Sequence, residues 1–446
     1  MNNFVLPKGY SWVDTSDKDF SKALDLILNG KKNLFINGPA GVGKSVMIQL
    51  AYKMLKGNVL VLASTGIAAA NLCDAGVPAS TVHSGLGIPI QPIYDHETSI
   101  SPIKVSLLSK IDTLIIEEVS MISSSFFDQI YRVVRKAEET RIKPIRILCF
   151  GDVLQFPPVV PSDDDTKEYF KDTYNGNVFF FNSKAYRGRG FEIIDLNKIH
   201  RQKDGSLQNV LNKIRLGMEE EEDLDFFKTR VCKIDDFIKK HPLALVIATT
   251  NARVRYLNET YGIPKNRYGH TYQAKIVGDY NFSDGGTVEY KTTIYEGQQV
   301  MCLSNDPDGL YQNGTLGRVL KVYEDSVRIA KYDGAIVTVK MHIWDQYESS
   351  YDPVTKRVTN RVKGSIQQIG CKPVFACTFH KSQGLTLDAI YLDLENKWVP
   401  ESAIYIGLSR CKSIEGIGLS RPLKISDIKQ NNEAFNFLYE EAIKGE

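Results

Sequence analysis

The residues with the clearest chemical meaning lie between positions 33 and 45. An apolar strand pattern over residues 34–36 leads into Gly-x-x-x-x-Gly-Lys-Ser, and a helix-type repeat of apolar residues follows. Glycines let consecutive backbone N–H groups approach an anion, and the helix dipole adds positive charge at the same point. We expect Lys44 to reach the terminal phosphates of a nucleoside triphosphate, and Ser45 to hold Mg²⁺. The residues expected to contact the nucleotide here are Gly38, Pro39, Ala40, Gly41, Val42, Gly43, Lys44 and Ser45.

Two adjacent acids, Glu117 and Glu118, end the apolar run over residues 113–116. In an ATPase with a phosphate-binding loop, the first acid would hold Mg²⁺ through water, and the second would polarise the attacking water. Pairs of acids are also common on solvated strand ends. The position of this pair downstream of the loop favours the catalytic interpretation.

Other polar residues follow strand patterns further along the chain. Gln155 lies beside Pro157-Pro158 and could contact the γ-phosphate or attacking water, although a merely proline-stiffened loop is the alternative. Arg201 and Arg410 could neutralise charge on a transferred phosphoryl group, but most arginines are solvated or salt-bridged. Residues 380–384, His-Lys-Ser-Gln-Gly, form a polar loop suited to phosphates of a nucleotide or a nucleic acid.

The elements that must position these residues alternate between strands and helices. Apolar runs at residues 34–36, 59–63, 113–116 and 144–150 are separated by helical patterns, and polar residues follow the strands. This arrangement predicts an α/β fold with a doubly wound parallel sheet and a ligand at its carboxyl edge. Residues 85–104 lack helical periodicity and read as a small inserted hairpin or excursion.

A second α/β region begins near residue 191, and short β-type runs rich in Gly, Asp, Asn and Tyr interrupt it. The texture of that interruption predicts a small all-β barrel or sandwich. The expected domains are residues 1–190 with the 85–104 insertion, 191–263, the β-rich insertion 264–364, and 365–446.

Composition limits the class of protein without naming a partner. The 446 residues allow two or more domains, and 55 Lys and Arg nearly balance 53 Asp and Glu. Balanced charge excludes only a uniformly basic surface, because a groove can be basic on a neutral protein. Seven scattered cysteines predict reduced thiols rather than a zinc site, and no run approaches the ~20 apolar residues of a membrane helix. We expect a soluble intracellular protein without a signal or transit peptide.

Taken together and in order, eight motifs resemble those of superfamily-one helicases, and most closely the petite-integration-frequency family of 5′-to-3′ DNA helicases. They cover nearly the whole chain, and they are residues 38–45, 63–72 (ASTGIAAANL), 81–87 (TVHSGLG), 115–121 (IIEEVSM), 151–159 (GDVLQFPPV), 200–202 (HRQ), 378–386 (TFHKSQGLT) and 405–410 (YIGLSR).

The resemblance implies two RecA-like domains with ATP in the cleft between them and single-stranded DNA across their top. It implies that residues 85–104 split the duplex as a wedge, and that the β-rich insertion is an SH3-like barrel closing over the strand. Positions that match the nucleotide site are Lys44, Ser45, Glu117, Glu118, Gln155, Arg201, Gln383, Gly384 and Arg410. Positions in segments that resemble DNA-contacting motifs are Thr65, His83, Ser84, Asn251, Thr378, His380 and Lys381.

Two residues depart from the family pattern. The family usually has Asp where Glu117 stands, so a metal site here must accommodate one extra methylene in the side chain. It usually offers Gln to the adenine edge where the alignment places Phe20, and a phenyl ring can stack or pack but cannot read that edge.

The leading hypothesis is an ATP- and Mg²⁺-dependent helicase that acts on single-stranded DNA and single-strand/duplex junctions as a monomer. The alternative is a DNA-stimulated ATPase that remodels nucleoprotein without separating strands. A kinase would leave residues 380–384, Arg410 and the β insertion without a role. A GTPase would need an Asn-Lys-x-Asp motif, and residues 396–399 lack the Asp.

Overall fold

Six parallel strands form the sheet that carries the phosphate-loop motif of residues 38–45. The computed structural model describes residues 5–88, 101–160, 163–199, 205–265, 268–280, 288–352, 357–395 and 398–445, without side chains for 347–361 and beyond 440. The sheet order is β3-β2-β4-β5-β1-β6. Its strands are β1 (Asn33–Asn37), β2 (Val59–Ala63), β3 (Ala79–Thr81), β4 (Thr113–Glu117), β5 (Arg146–Gly151) and β6 (Phe191–Asp195).

Helices follow these strands in the alternating order that a parallel sheet requires. They are α1 (Lys18–Asn29), α2 (Lys44–Met54), α3 (Gly66–Asp74), α4 (Val82–Leu86), α5 (Pro102–Leu108), α6 (Ser124–Glu138), α7 (Asp164–Tyr174) and α8 (Lys184–Arg189). Short 3₁₀ turns cover Val119–Met121 and Phe180–Asn182. The β1 strand lies between β5 and β6, and its Phe35 and Ile36 are fully buried. Pairing on both sides fixes the position of the loop that leaves its carboxyl end.

A second parallel sheet, ordered β17-β7-β18-β19, belongs to the other half of the chain. Its strands are β7 (Leu245–Ala248), β17 (Ala376–Thr378), β18 (Ile390–Asp393) and β19 (Ile417–Leu419). The accompanying helices are α9 (Gly205–Leu216), α10 (Glu221–Asp225), α11 (Ile234–Lys240), α12 (Asn251–Tyr261), α13 (Phe379–Ser382) and α14 (Ala403–Leu408), with 3₁₀ turns at Lys228–Arg230, Ile414–Gly416 and Ile425–Asp427.

Antiparallel strands interrupt this second half between β7 and β17. A seven-stranded sheet has the order β16-β11-β12-β13-β14-β15-β9, and a two-stranded sheet pairs β10 with β8. Their bounds are β8 (Gly269–Gln273), β9 (Lys275–Gly278), β10 (Lys291–Tyr295), β11 (Gln299–Cys302), β12 (Leu316–Val322), β13 (Ser326–Lys331), β14 (Ile336–Asp352), β15 (Arg357–Ile369) and β16 (Cys371–Pro373). The β-rich texture therefore corresponds to an antiparallel insertion, as the sequence predicts.

The chain divides into two compact units, and the first of them includes the last helix. Unit 1 holds residues 1–200, 346–363 and 432–446, and unit 2 holds 201–345 and 364–431. The final helix, α15 (Asn432–Gly445), stacks Phe437 on Phe181 with ring centroids 4.0 Å apart. Glu433 accepts hydrogen bonds from the Asn182 side chain and from the Phe179 backbone N–H. The bounds of the four segments expected from the sequence remain predictions.

The predicted strands and helices around the first loop are confirmed, and three local expectations need comment. Residues 380–384 were expected as a loop, but His380 to Ser382 lie in the short helix α13, because the Thr378 hydroxyl caps it. The pattern over residues 404–410 predicts a last helix that carries Arg410, but Arg410 lies two residues beyond α14, and α15 follows as the last helix. Of the expected wedge, residues 89–100 lie outside the described residues. Within the described ranges, no helix is long and apolar enough to cross a membrane.

Candidate functional site

The phosphate loop connects β1 to α2 through glycines in the left-handed region. Gly41 has φ 89° and Gly43 has φ 94°, backbone angles that residues with a Cβ rarely adopt. The N–H of Gly38 donates to the carbonyl oxygen of Gly151 at 3.2 Å, which ties the start of the loop to the end of β5. Helix α2 begins at Lys44, so its N-terminal N–H groups lie at the end of the loop. The loop thus has the backbone geometry of an anion site.

The ammonium group of Lys44 lies within the loop itself. It donates to the carbonyl oxygens of Gly38 at 2.7 Å and Pro39 at 3.0 Å. A nucleotide phosphate would compete for this ammonium as a charge-assisted acceptor, and charged acceptors form the stronger hydrogen bonds. Lys44 is therefore placed to exchange two neutral acceptors for a phosphate.

Ser45 and Glu117 form a pair of oxygen ligands at the carboxyl edge of the sheet. Ser45 Oγ lies 3.5 Å from Glu117 Oε1, and Glu117 Oε2 meets no hydrogen-bond donor among the described residues. Burial, and secondarily the neighbouring Glu118, raises the pKa of Glu117 to about 8. The raised pKa favours the neutral acid, whereas a divalent cation such as Mg²⁺ would favour the ionised carboxylate and bind its oxygen that meets no donor, beside the Ser45 hydroxyl. The residues therefore fit the metal, and Glu117 accommodates the extra methylene within the fold.

Glu118 has a strained backbone that directs the second acid. Its φ of 54° and ψ of 43° place a non-glycine residue in the left-handed region, between the end of β4 and the 3₁₀ turn. Such conformations cost about 1–3 kcal/mol and cluster at functional sites. Glu117 is the last residue of β4, whereas the left-handed conformation places Glu118 in the turn that follows the strand.

A buried network holds Gln155 at the end of β5. The Gln155 side-chain amide donates to Asp152 Oδ2 at 3.0 Å, and the Leu154 N–H donates to Asp152 Oδ1 at 3.2 Å. The Asn37 side chain accepts from the Val153 N–H at 3.2 Å and donates to Asp195 at 2.6 Å. Asn37 and Asp152, which the sequence analysis missed, thus connect this turn to β1 and β6. Their signal was polarity at the carboxyl ends of buried strands.

Phe20 packs into the apolar core beneath the loop. Its side chain is 4% exposed and belongs to a cluster with Val42 and Met47. A Cβ on Gly43 would lie 3.2 Å from Phe20 Cε2. The sequence allowed the Phe20 ring either to stack on a ligand or to pack in the core, and in the structure it packs in the core.

We predict that Gly43→Ala weakens both folding and nucleotide binding. The left-handed φ costs about 1–2 kcal/mol for alanine, and the new methyl group also crowds Phe20. Thermal unfolding and titration with a fluorescent ATP analogue measure the two effects.

Gly176→Ala is the matched control, because Gly176 has φ 81° and a Cβ there would meet nothing within 4 Å. It should lower the unfolding temperature through strain alone and leave nucleotide affinity unchanged. Equal losses of affinity in both variants would contradict the assigned role of Gly43.

In unit 2, Arg410 is 1% exposed and is oriented by uncharged oxygen acceptors. Its guanidinium donates to the carbonyl oxygens of Ile406 at 2.9 Å and Leu385 at 3.4 Å, and to the Ser409 hydroxyl at 2.8 Å. These contacts fix the direction of a buried cation, as phosphoryl-charge neutralisation requires. Gln383 is half-buried, and Gly384 has φ 82° beside it.

Four threonines cap helices that follow parallel strands. In unit 1, Thr65 accepts from the Ala68 N–H at 3.2 Å and Thr81 from the Ser84 N–H at 3.3 Å. In unit 2, Thr250 accepts from the Arg253 N–H at 3.2 Å and Thr378 from the Lys381 N–H at 3.4 Å. The same device thus begins α3, α4, α12 and α13. Sequence reasoning missed Thr81 and Thr250, which the position of a threonine directly after a strand could have indicated.

The remaining predicted DNA-contacting residues lie on these capped helices. His83 stacks on Phe126 with centroids 4.3 Å apart, and its Nδ1 is 3.1 Å from the Ile88 carbonyl oxygen. Ser84 is exposed on α4, Asn251 is exposed at the start of α12, and His380 and Lys381 are exposed on α13. Arg201 lies outside the described residues. No cluster of three or more His, Cys, Asp or Glu able to hold a metal occurs in the described ranges.

Comparison with known proteins gives consistent relatives. Residues 16–223 match the family described as PIF1-like helicase. The ATP-dependent DNA helicase Pif1 of Bdellovibrio bacteriovorus is 28% identical over 412 residues, which are 90% of this chain and 86% of that protein.

Two solved structures from Bacteroides are similar over nearly the whole chain. Bacteroides sp Pif1 in complex with ADP-AlF4 has a TM-score of 0.85 at 28% identity, covering 96% of this chain and 97% of that one. Bacteroides Pif1 bound to ssDNA has a TM-score of 0.67 at 28% identity, with the same coverage. The parallel sheets and the antiparallel insertion therefore have a fold counterpart in two RecA-like domains with a β insertion.

Proposed function

Because the chain belongs with the PIF1-like helicases in sequence and fold, we propose that it is an ATP-dependent DNA helicase moving 5′ to 3′ on single-stranded DNA. The observation that carries the proposal is the phosphate loop, with Lys44, Ser45 and Glu117 brought together at the carboxyl edge of one parallel sheet. The relatives support DNA as the substrate, because the Bdellovibrio protein is named a DNA helicase and one of the similar solved structures is bound to single-stranded DNA.

The nucleotide would bind through the loop N–H groups and Lys44, with Glu118 as the acid that orients and polarises the attacking water. Ser45 and Glu117 would hold Mg²⁺, which neutralises charge on the β- and γ-phosphates when it is bound. Gln155 is held by Asp152 at the same sheet edge and would report the γ-phosphate to the rest of the unit. Arg201, Gln383, Gly384 and Arg410 would supply the contacts of the second half of the chain.

Single-stranded DNA would contact exposed and half-buried polar residues after the parallel strands in both units. In unit 1 these are Thr65, His83 and Ser84, and in unit 2 they are Asn251, Thr378, His380 and Lys381. Contacts to phosphates make binding tolerant of sequence and sensitive to salt. We further propose that one chain acts as a monomer at single-strand/duplex junctions, so the unwinding rate should rise linearly with protein concentration.

The test measures ATP hydrolysis with and without single-stranded DNA, together with unwinding of duplexes that carry a 5′ or a 3′ tail. Stimulated hydrolysis with unwinding from the 5′ tail alone is the expected result. Stimulation without strand separation would instead indicate a translocase that remodels nucleoprotein. Hydrolysis indifferent to DNA would overturn the proposal.

A further inference from the structure

The antiparallel insertion carries a surface with several cations, and the proposed function assigns no role to any residue of that surface. Strands β12, β13 and β14 bury Val322, Val327 and Val339 on one side of their sheet. Alternate residues therefore point to the opposite side, which we call the outer face. The outer face consists of Lys321, Tyr323, Ser326, Arg328, Ile336, Thr338 and Lys340.

The register of these strands places like charges together. Lys321 lies directly opposite Arg328, which lies opposite Thr338, and Lys340 lies opposite Ser326. Like charges in directly opposed positions destabilise a sheet. In the described part of the chain, none of these three cations forms an ion pair with a carboxylate, whereas neighbouring Lys331 pairs with Asp333 at 3.3 Å. An anionic ligand bound here would reduce the repulsion between Lys321 and Arg328.

A hollow on the outer face contains one of these cations, Arg328, together with the Tyr323 ring. Its volume is about 390 Å³, and it is lined by Tyr323, Asp325, Ser326, Arg328, Ile336 and Thr338. Tyr323 is 40% exposed and Ile336 is 54% exposed, so both offer apolar surface. The Lys321 ammonium lies 5.6 Å from the centre of the Tyr323 ring. The outer face thus combines exposed apolar surface with the Arg328 guanidinium and the Asp325 carboxylate in the hollow and the Lys321 ammonium near the ring.

The turn that carries Tyr323 is fixed from the inside of the insertion. The buried Tyr272 hydroxyl lies 2.7 Å from the Tyr323 carbonyl oxygen and 2.9 Å from that of Ser326. The Met341 N–H donates to the Asp325 carbonyl oxygen at 3.1 Å. Because these hydrogen bonds already order the backbone of the turn, binding a ligand at Tyr323 need not order it, and the entropic cost of binding is lower.

We propose that the outer face binds single-stranded nucleic acid, with a base against Tyr323 and Ile336 and phosphates on Lys321, Arg328 and Lys340. This inference rests on the proposed function, and it adds a strand contact separate from the capped helices of the parallel sheets. Aromatic rings beside cations form the usual platform for single strands. An acidic peptide would satisfy the cations but leave the exposed ring and Ile336 without a partner.

The test compares two double variants of the full chain. Lys321→Gln/Arg328→Gln removes two cations from the outer face, and Lys275→Gln/Lys291→Gln removes two exposed cations from other strands of the same insertion. Binding to a fluorescent oligothymidylate of about 30 nucleotides, several site sizes long, is measured across a salt series. The outer-face variant should have a salt slope shallower by roughly 1.4, at about 0.7 per lost phosphate contact. The control slope and the ATPase rate without DNA should match those of the unmodified chain.

A Tyr323→Ala variant tests the stacking contact separately, because it changes the affinity for the oligonucleotide without removing a charge. Tyr323→Ala should weaken the oligonucleotide about fivefold or more, because stacking on one base is lost, while the salt slope stays constant. An oligonucleotide containing 5-bromouracil should also photocross-link to a peptide that contains Tyr323.

Unchanged affinity and slope in the outer-face variants, with an unmodified chain that binds DNA and hydrolyses ATP in response to it, would overturn this inference alone. A polyglutamate peptide that binds the unmodified chain but not the Lys321→Gln/Arg328→Gln variant, with DNA binding unaltered, would also overturn it and assign an acidic protein partner. An unmodified chain that binds no oligonucleotide would overturn the proposed function and this inference with it.

Discussion

Lys44→Ala is expected to lower DNA-stimulated ATP hydrolysis by about 10³-fold and to abolish unwinding. The Lys44 ammonium, held by the carbonyl oxygens of Gly38 and Pro39, is the cation available at the loop to a transferred phosphoryl group. Removing one such electrostatic contact typically costs about 10²–10³-fold in rate, and the ground-state phosphate contact is lost as well. Phosphate release with saturating single-stranded DNA and displacement of a labelled strand measure the two activities.

Lys56→Ala is the control, because this exposed lysine follows the same helix but lies beyond its carboxyl end. Its hydrolysis and unwinding should match those of the unmodified chain. A Lys44→Ala chain that folds, hydrolyses ATP and separates strands normally would contradict the ATPase assignment.

Glu118→Gln should separate nucleotide binding from hydrolysis. Glutamine keeps the length of the side chain and the left-handed backbone, but it cannot accept the proton of the attacking water. The loss of a general base costs about 10²–10⁴-fold in rate. The affinity for ATP should remain within about twofold, because the loop, Lys44 and Ser45 are untouched. Pre-steady-state hydrolysis and titration with a fluorescent ATP analogue measure the two quantities.

Glu139→Gln serves as the matched control, since Glu139 is an exposed carboxylate that pairs with Lys136. It should hydrolyse ATP at the unmodified rate. If Glu118→Gln loses ATP affinity and hydrolysis to the same degree, the residue acts in binding rather than in activating water.

The phosphate loop and the parallel strands could be predicted because their information is local. Gly41 and Gly43 have the left-handed φ values that the glycine spacing implies, and the apolar run over Val59–Ala63 forms a buried strand. The strand-then-acid pattern also placed Glu117 beside Ser45, because carboxyl ends of parallel strands share one edge of a sheet.

Other features depend on contacts distant in sequence, which local patterns do not specify. Phe20 could stack or pack, and only the core formed with Val42 and Met47 decides between them. The opposition of Lys321 and Arg328 depends on strand register and on the bulge after Val319, which a run of alternating residues does not reveal. The strain at Glu118 likewise comes from the turn between β4 and the following 3₁₀ segment.

The stacking of Phe437 on Phe181 has a consequence for biosynthesis. Unit 1 is built from segments at both extremes of this sequence, so a ribosome must release residues 432–445 before that unit can complete its aromatic packing. Until then, Phe181 lacks its stacking contact with Phe437, and Asn182 lacks its hydrogen bond to Glu433. During synthesis, a nascent chain of this protein therefore passes through a stage in which the phosphate loop and its parallel sheet are complete but the packing of α15 against them is still missing.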